Sequence, residues 1–228
     1  MTTATVPPGA PAARPAEIPS ARPEGHPVVR AARPGEEAAL SRVLAAAFQD
    51  DPLTRWAFPD ATYRARVLPA FFRVYVDQCL AHRGVLTTED LDAALLFLPP
   101  GVWEHPDHHG QDAARALDEA VDAAAHPQSV LRLAAITRLQ ARRHPRHRPH
   151  YYLAFIGVRP ERRHDLTAAA LLRTLLAEVD AAGQAAYAET SSPGGAHLCA
   201  RNGFTRFGDA LALPAGGPQL TPVWRGPR

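Results

Sequence analysis

Apolar residues recur along this chain with two periods, and each change of period marks an element. Leu40, Val43, Leu44, Ala47 and Phe48 repeat at helical spacing behind Pro34-Gly-Glu-Glu, whose acidic residues suit the positive end of a helix. Asp50-Asp51-Pro52 interrupts that pattern, and a second helix is predicted from about Tyr63 to Ala81, with Val67, Phe71, Val74, Tyr75 and Gln78 on neighbouring turns. Gly84 closes it. Val85-Leu-Thr-Thr and Ala93–Leu98 read as a hairpin around Glu89-Asp90, ended by Pro99-Pro100. Two helices are predicted at about 111–124 and 128–142, separated by His126-Pro127. A strand follows at Tyr151–Val158, then a helix with Leu171, Leu172, Leu175, Leu176 and Val179 on one face and Gly183 as its C-terminal cap. Ala185–Glu189 is a strand, Ala196–Arg201 a short helix, and Phe204–Leu213 with Gln219–Trp224 a last hairpin. With Val28-Val-Arg30 as a first strand, the order is mixed α/β.

Residues 1 to about 27 break from this pattern. They are rich in Pro, Ala and Arg without periodicity and are expected to be a disordered tail, since they cannot bury enough apolar surface to offset ordering. The remaining 28–228 are long enough for one domain with a core. No segment has the apolar core of a secretory signal or the length of a membrane span, so a soluble cytoplasmic protein is expected, with no membrane partner. Cys79 and Cys199 are too few for a disulfide framework. The net charge of +2 argues against a nucleic-acid partner, and the run Arg142-Arg-His-Pro-Arg-His-Arg-Pro-His150 reads as a solvated connector. His105, His108, His109, His144, His147 and His150 lie at loop spacing among prolines, which does not suit a metal site. Nothing in the pattern sets an oligomeric state.

The most informative stretch is Tyr151–Leu172, a strand, a turn and a helix. Val158, Pro160, Arg163 and Ala168 fit the pattern V-x-P-x-x-Q/R-G/R-x-G-x-G/A. Downstream come Tyr187-Ala-Glu-Thr-Ser-Ser-Pro193 and His197-Leu-Cys-Ala-Arg-Asn-Gly-Phe204; upstream are Leu44-Ala-Ala-Ala-Phe48 and Asp51-Pro-Leu-Thr-Arg55. In these five segments, in this order, the chain resembles the GNAT acyltransferase superfamily, most nearly its puromycin N-acetyltransferase-like members. The resemblance covers about 28–225. It implies a single α/β domain with a mixed, partly splayed sheet flanked by helices. It also implies acetyl-CoA as co-substrate, no metal, and the amine of a small molecule as acceptor.

On this resemblance the backbone of Ile156, Gly157 and Val158 meets the pantetheine arm. Arg163, His164, Leu166, Thr167 and Ala168 form the turn that holds the pyrophosphate at a helix N-terminus, where unpaired N–H groups and the helix dipole favour an anion. Glu189 takes the amine proton. Cys199 stands where many members carry a tyrosine that protonates the departing thiolate, and it is otherwise a small buried cysteine. Asp50 and Asp51 lie in the loop that covers the acceptor, and Trp56 is a candidate for a pocket that takes a flat substrate.

The turn departs from the family. Leu166 stands where the first essential glycine belongs, so a strained backbone and a crowded phosphate site are expected there. Asp165 reads as an N-cap, which would occupy the donors that phosphates need; Arg162, Arg163, His164 and Arg173 can compensate. Two alternatives follow: a scaffold that no longer binds acetyl-CoA and serves ligand or partner binding or other chemistry, or acyl transfer from an acyl carrier protein, whose pantetheine arm lacks the adenosine pyrophosphate.

Overall fold

The computed structural model of the protein describes residues 27–103, 115–121, 126–162 and 166–228. Of the expected elements, the tail falls almost wholly outside these residues. The helix expected at 111–124 is described only at 115–121, where 115–120 are helical.

Strand β1 (Val29–Ala31) leads into helix α1 (Glu37–Phe48), whose Leu40, Val43 and Leu44 are fully buried. Asp50-Asp51-Pro52 turns out to start a helix as well as end one. In α2 (Pro52–Ala57) proline occupies the first turn, where its missing N–H costs nothing, and the Asp51 carboxylate accepts the Leu53 N–H at 2.8 Å. Helix α3 (Ala61–Ala81) is capped the same way by Asp60, which accepts the Tyr63 N–H at 2.6 Å.

The chain then folds into strands β2 (Val85–Thr88) and β3 (Ala93–Leu98). Gly84 between α3 and β2 is required by close approach, because a Cβ there would sit 1.9 Å from the Phe97 carbonyl oxygen. The left-handed residue of that turn is Arg83, at φ 56°. Helix α4 (Pro127–Arg143) precedes the long strand β4 (His150–Val158). A 3-10 turn at Pro160–Arg162 leads to α5 (Thr167–Ala181), which ends at Gly183 with φ 61°. Strand β5 (Ala185–Thr190) and helix α6 (Pro193–Arg201) follow, then β6 (Thr205–Arg206), β7 (Leu211–Ala212) and β8 (Gln219–Arg225). The last hairpin of the sequence reading is thus two short strands, each paired with β8.

The sheet runs β1-β2-β3-β4-β5-β8-β6, antiparallel except where β4 meets β5. All six residues of β3 are buried, as expected of a strand covered on both faces. Ala94, Leu96 and Leu98 pack with α1 and α3; Ala93, Leu95 and Phe97 pack with α5. Against β3, Leu96 pairs with Phe155 but Phe97 with Leu153, so Ala154 is one residue too many on β4. The bulge turns two consecutive residues, Ala154 and Phe155, to the α1–α3 face.

Candidate active site

Strands β4 and β5 pair in parallel only from His150↔Ala185 to Leu153↔Ala188. Beyond Leu153, β4 stays with β3 while β5 stays with β8, and the sheet opens. Alternation of the antiparallel ladder decides what β4 presents to that opening. The Arg159 N–H donates to the Asp92 carbonyl at 2.9 Å, so Gly157 and Phe155, two and four residues back, also bond toward β3. Ile156 and Val158 therefore turn their N–H and C=O groups to the other side, where β5 has diverged. The Gly157 Cβ position is filled by α1: it would lie 2.9 Å from the Ala47 Cβ and 3.0 Å from a Leu44 methyl. A cavity of about 1390 Å³ occupies the opening, and Ile156, Gly157, Val158, Leu166, Ala168, Glu189, Cys199, Asp50 and Asp51 all line it. Among the residues singled out from the sequence, Thr167 and Trp56 do not.

Glu189 stands on β5 at this opening, held by side chains from three elements. The Tyr187 hydroxyl donates to its Oε1 at 2.8 Å; the Tyr152 hydroxyl and the Gln140 amide donate to Oε2 at 2.9 and 3.3 Å. Burial pushes the carboxyl above its ordinary value, and these three hydrogen bonds oppose that by favouring the ionised form. The two tyrosines are pushed up in turn, chiefly by burial and then by the carboxylate, and so remain hydrogen donors. The sequence reading placed Glu189 but not its partners. Tyr187 was findable, because residues two apart on a strand share a face. Tyr152 needed the register that sets it beside Tyr187, and Gln140 a contact across 49 residues.

At the far side of the opening, the start of α5 faces the cavity through Leu166, Ala168 and Ala169. Leu166 has φ −74°, an ordinary value, so the strain expected of a bulky residue there is absent; its side chain is 60% exposed. Leu166 immediately precedes the helix, and its side chain makes no cap hydrogen bond. Arg163, His164 and Asp165 lie outside those residues. Arg173, in the second turn of α5, lines the cavity. Backbone groups of β4 that turn away from β3, followed by the start of a helix, fit an extended amide-bearing arm that ends in an anion.

The remaining candidates are placed as follows. Cys199, on α6, is buried against the α5 side of the sheet, and desolvation raises its thiol to about 11. Asp50 is exposed, whereas Asp51 caps α2 and accepts the Ser191 hydroxyl at 2.7 Å, tying that loop to the end of β5. Trp56 packs away from the cavity, under the Arg132 guanidinium 5.3 Å from its ring and against the loop at Gly217. His144 and His150 are buried with their Nε2 atoms 3.0 Å apart, while His147 stacks beside Phe207 and Trp224. His105, His108 and His109 lie outside the described residues.

Solved acetyltransferases share this fold. A protein described as histone acetyltransferase HPA2 and related acetyltransferase, from Corynebacterium glutamicum, superposes with a TM-score of 0.65 at 21% identity, over 90% of this chain and 98% of its own. The arylalkylamine N-acetyltransferase 2 of Aedes aegypti gives 0.55 at 11% identity, over 88% and 99%. The polyamine N-acetyltransferase of Drosophila melanogaster, which forms N-acetylagmatine, gives 0.53 at 18%, over 87% and 99%. No protein-family model and no curated protein matches the sequence. The architecture is therefore the GNAT fold: one mixed α/β sheet, mostly antiparallel and open between β4 and β5, with helices on both faces.

Proposed function

We propose that this chain is an acyl-CoA-dependent N-acetyltransferase acting on the amine of a small molecule. The observation that carries this reading is the opening between β4 and β5, with the backbone groups of Ile156 and Val158 that turn away from β3 on one wall and the half-buried Glu189 on the other. In support, the solved proteins of the same fold named above include enzymes that acetylate arylalkylamines and polyamines. The likeness to puromycin N-acetyltransferase-like members rests on the sequence motifs. Among the described residues, no helix is long and apolar enough to cross a membrane.

Acetyl-CoA supplies the acetyl group as an activated thioester. Ile156 and Val158 hold its arm by backbone hydrogen bonds, and the first N–H groups of α5, with Arg163, His164 and Arg173, hold its phosphates. Glu189 removes the proton that the amine must lose to become a nucleophile. A carboxylate whose affinity for protons is raised by burial does this better near neutral pH than an exposed one. Cys199, kept protonated by its raised pKa, is a hydrogen donor on α6. The walls align amine and thioester, which is the largest contribution expected of such a site.

Titration calorimetry with acetyl-CoA tests this directly. Binding, with a melting temperature that rises with ligand concentration, is expected, together with acetylated product from a panel of primary amines. Absence of heat at millimolar ligand sinks the reading. One observation favours a second donor: the exposed Leu166 occupies the turn where a pyrophosphate would lie. Acyl transfer from a carrier protein, whose arm brings no adenosine pyrophosphate, is supported if acyl carrier protein outperforms acetyl-CoA in the same assay.

A further inference from the structure

Strand β4 lies inside the sheet, yet its burial lapses partway along. Tyr151, Tyr152, Leu153, Gly157 and Val158 are buried, whereas Ala154, Phe155 and Ile156 are only half-buried. The bulge sets two of these three, Ala154 and Phe155, on the α1–α3 face, which also carries Tyr152. Phe155 meets Phe48 of α1 and Tyr75 of α3 at ring-centroid distances of 5.7 and 5.0 Å. All three rings line the cavity and all three are half-buried. Phe71, Val74, Tyr75 and Gln78, at helical spacing, turn one face of α3 to the same space. Half-wet rings on a cavity wall keep apolar area that a ligand can remove from water.

Tyr152 joins this wall to Glu189. Its hydroxyl donates to the Glu189 carboxylate at 2.9 Å, and it lies near enough to Tyr75 that charge on either hydroxyl disfavours charge on the other. The Tyr75 hydroxyl itself makes no hydrogen bond among the described residues. The charges around the cavity do not suit a polycation. Of its carboxylates among the described residues, Asp50 is exposed, Asp51 is occupied by the Leu53 N–H and the Ser191 hydroxyl, and Glu189 alone adjoins Tyr152. Arg146, Arg173 and Arg201 line the cavity as well. A second ammonium pressed against the rings would lose its water and gain no counter-charge.

We infer that the acceptor is a monoamine on an apolar, aromatic body, which Phe48, Tyr75 and Phe155 seat while its nitrogen lies toward Glu189. This rests on the N-acetyltransferase reading and narrows its substrate class. Rings recognise a flat apolar body by offset and edge-to-face contact, and a body fixed in this way orients the amine end.

The test compares 2-phenylethylamine, ethylamine and 1,4-diaminobutane as acceptors, with acetyl-CoA as donor. The expected result is a kcat/KM at least about tenfold higher for 2-phenylethylamine than for either of the others, the gain of removing a ring from water. Tyr75→Leu should raise KM for 2-phenylethylamine with kcat kept, and leave both constants for ethylamine unchanged. Gln78→Glu, which keeps the side-chain shape and adds a carboxylate to the same face of α3, should lower KM for the diamine; it decides alone if Tyr75→Leu does not fold. Equal use of ethylamine or the diamine, or constants that both variants leave intact, overturns the aromatic subsite while acetyl transfer stands. A preference for hexanoyl-CoA over acetyl-CoA that Tyr75→Leu removes also overturns it, since the rings would then seat the acyl chain. If no amine is acetylated, the transferase reading fails and calorimetry with 2-phenylethylamine decides the subsite. Heat that Tyr75→Leu or Gln78→Glu diminishes supports it, and no heat with the parent, or heat unchanged in both variants, overturns it.

Discussion

The protonation of Glu189 is set by opposing effects that can be separated by substitution. Burial raises its pKa, whereas Tyr187, Tyr152 and Gln140 donate to the ionised form and lower it. A base must be ionised to act, so the rate should rise with pH through this raised value, placing the acid limb above that of an exposed glutamate. Removing one donor takes away stabilisation of the carboxylate alone. Tyr152→Phe should therefore move the acid limb of kcat/KM to higher pH, while Glu189→Gln lowers kcat by roughly 10²–10⁴-fold with the limb gone. A limb that stays put in Tyr152→Phe would show that the hydroxyl does not touch the working base. The glutamate itself is legible in the sequence because a strand and motif place it. Its environment is not, since burial and the Tyr152 bond depend on a register that only the folded sheet supplies.

Strand β4 serves two partners along its length, and the change between them makes the site. Up to Leu153 it pairs on both sides; after the bulge at Ala154 it pairs only with β3. Alternation gives a sharp consequence. The Ile156 N–H faces the opening and takes no part in the β3 ladder, so proline, which removes a donor, is tolerated there as it is at a sheet edge. Ile156→Pro should melt close to Ile156→Ala, both having lost the same side-chain packing, but should bind acetyl-CoA at least about tenfold more weakly than Ile156→Ala. Loss of folding in the proline variant alone would place that N–H in the β3 ladder. The elements themselves follow well from periodicity: the β2–β3 hairpin, β4, α5 and β5 all lie where the apolar spacing puts them. The bulge left no mark, because Ala154 and Phe155 sit in an apolar run that reads the same with or without an extra residue. Helix α2 was hidden for a different reason. A proline that opens a helix reads, in isolation, as one that ends the helix before it.

Across the whole molecule, ion pairs differ chiefly in how much water they exclude. The Arg225 side chain, at the end of β8, is 4% exposed, and both of its Nη atoms bond the Asp180 carboxylate of α5 at 2.6 and 2.7 Å; its Nε donates to the Asn202 carbonyl. This joins the second half of the sheet, the helix over it and the turn after α6. Arg73 and Asp77 form an equally short pair on α3, but both side chains are about half exposed, where solvent and salt cancel most of the attraction. Asp180→Asn leaves a buried guanidinium without its counter-charge, so it should lower the melting temperature clearly, whereas Asp77→Asn should change it little. The pH dependence has a definite sign. Arg225 holds the Asp180 carboxyl below its ordinary value, so the pair stabilises the fold above the ordinary carboxylate range and is lost as pH falls through the depressed value. Melting curves of the parent and Asp180→Asn should therefore separate near neutrality and converge in acid. Curves that stay equally far apart at low pH would mean that asparagine disturbs packing rather than charge.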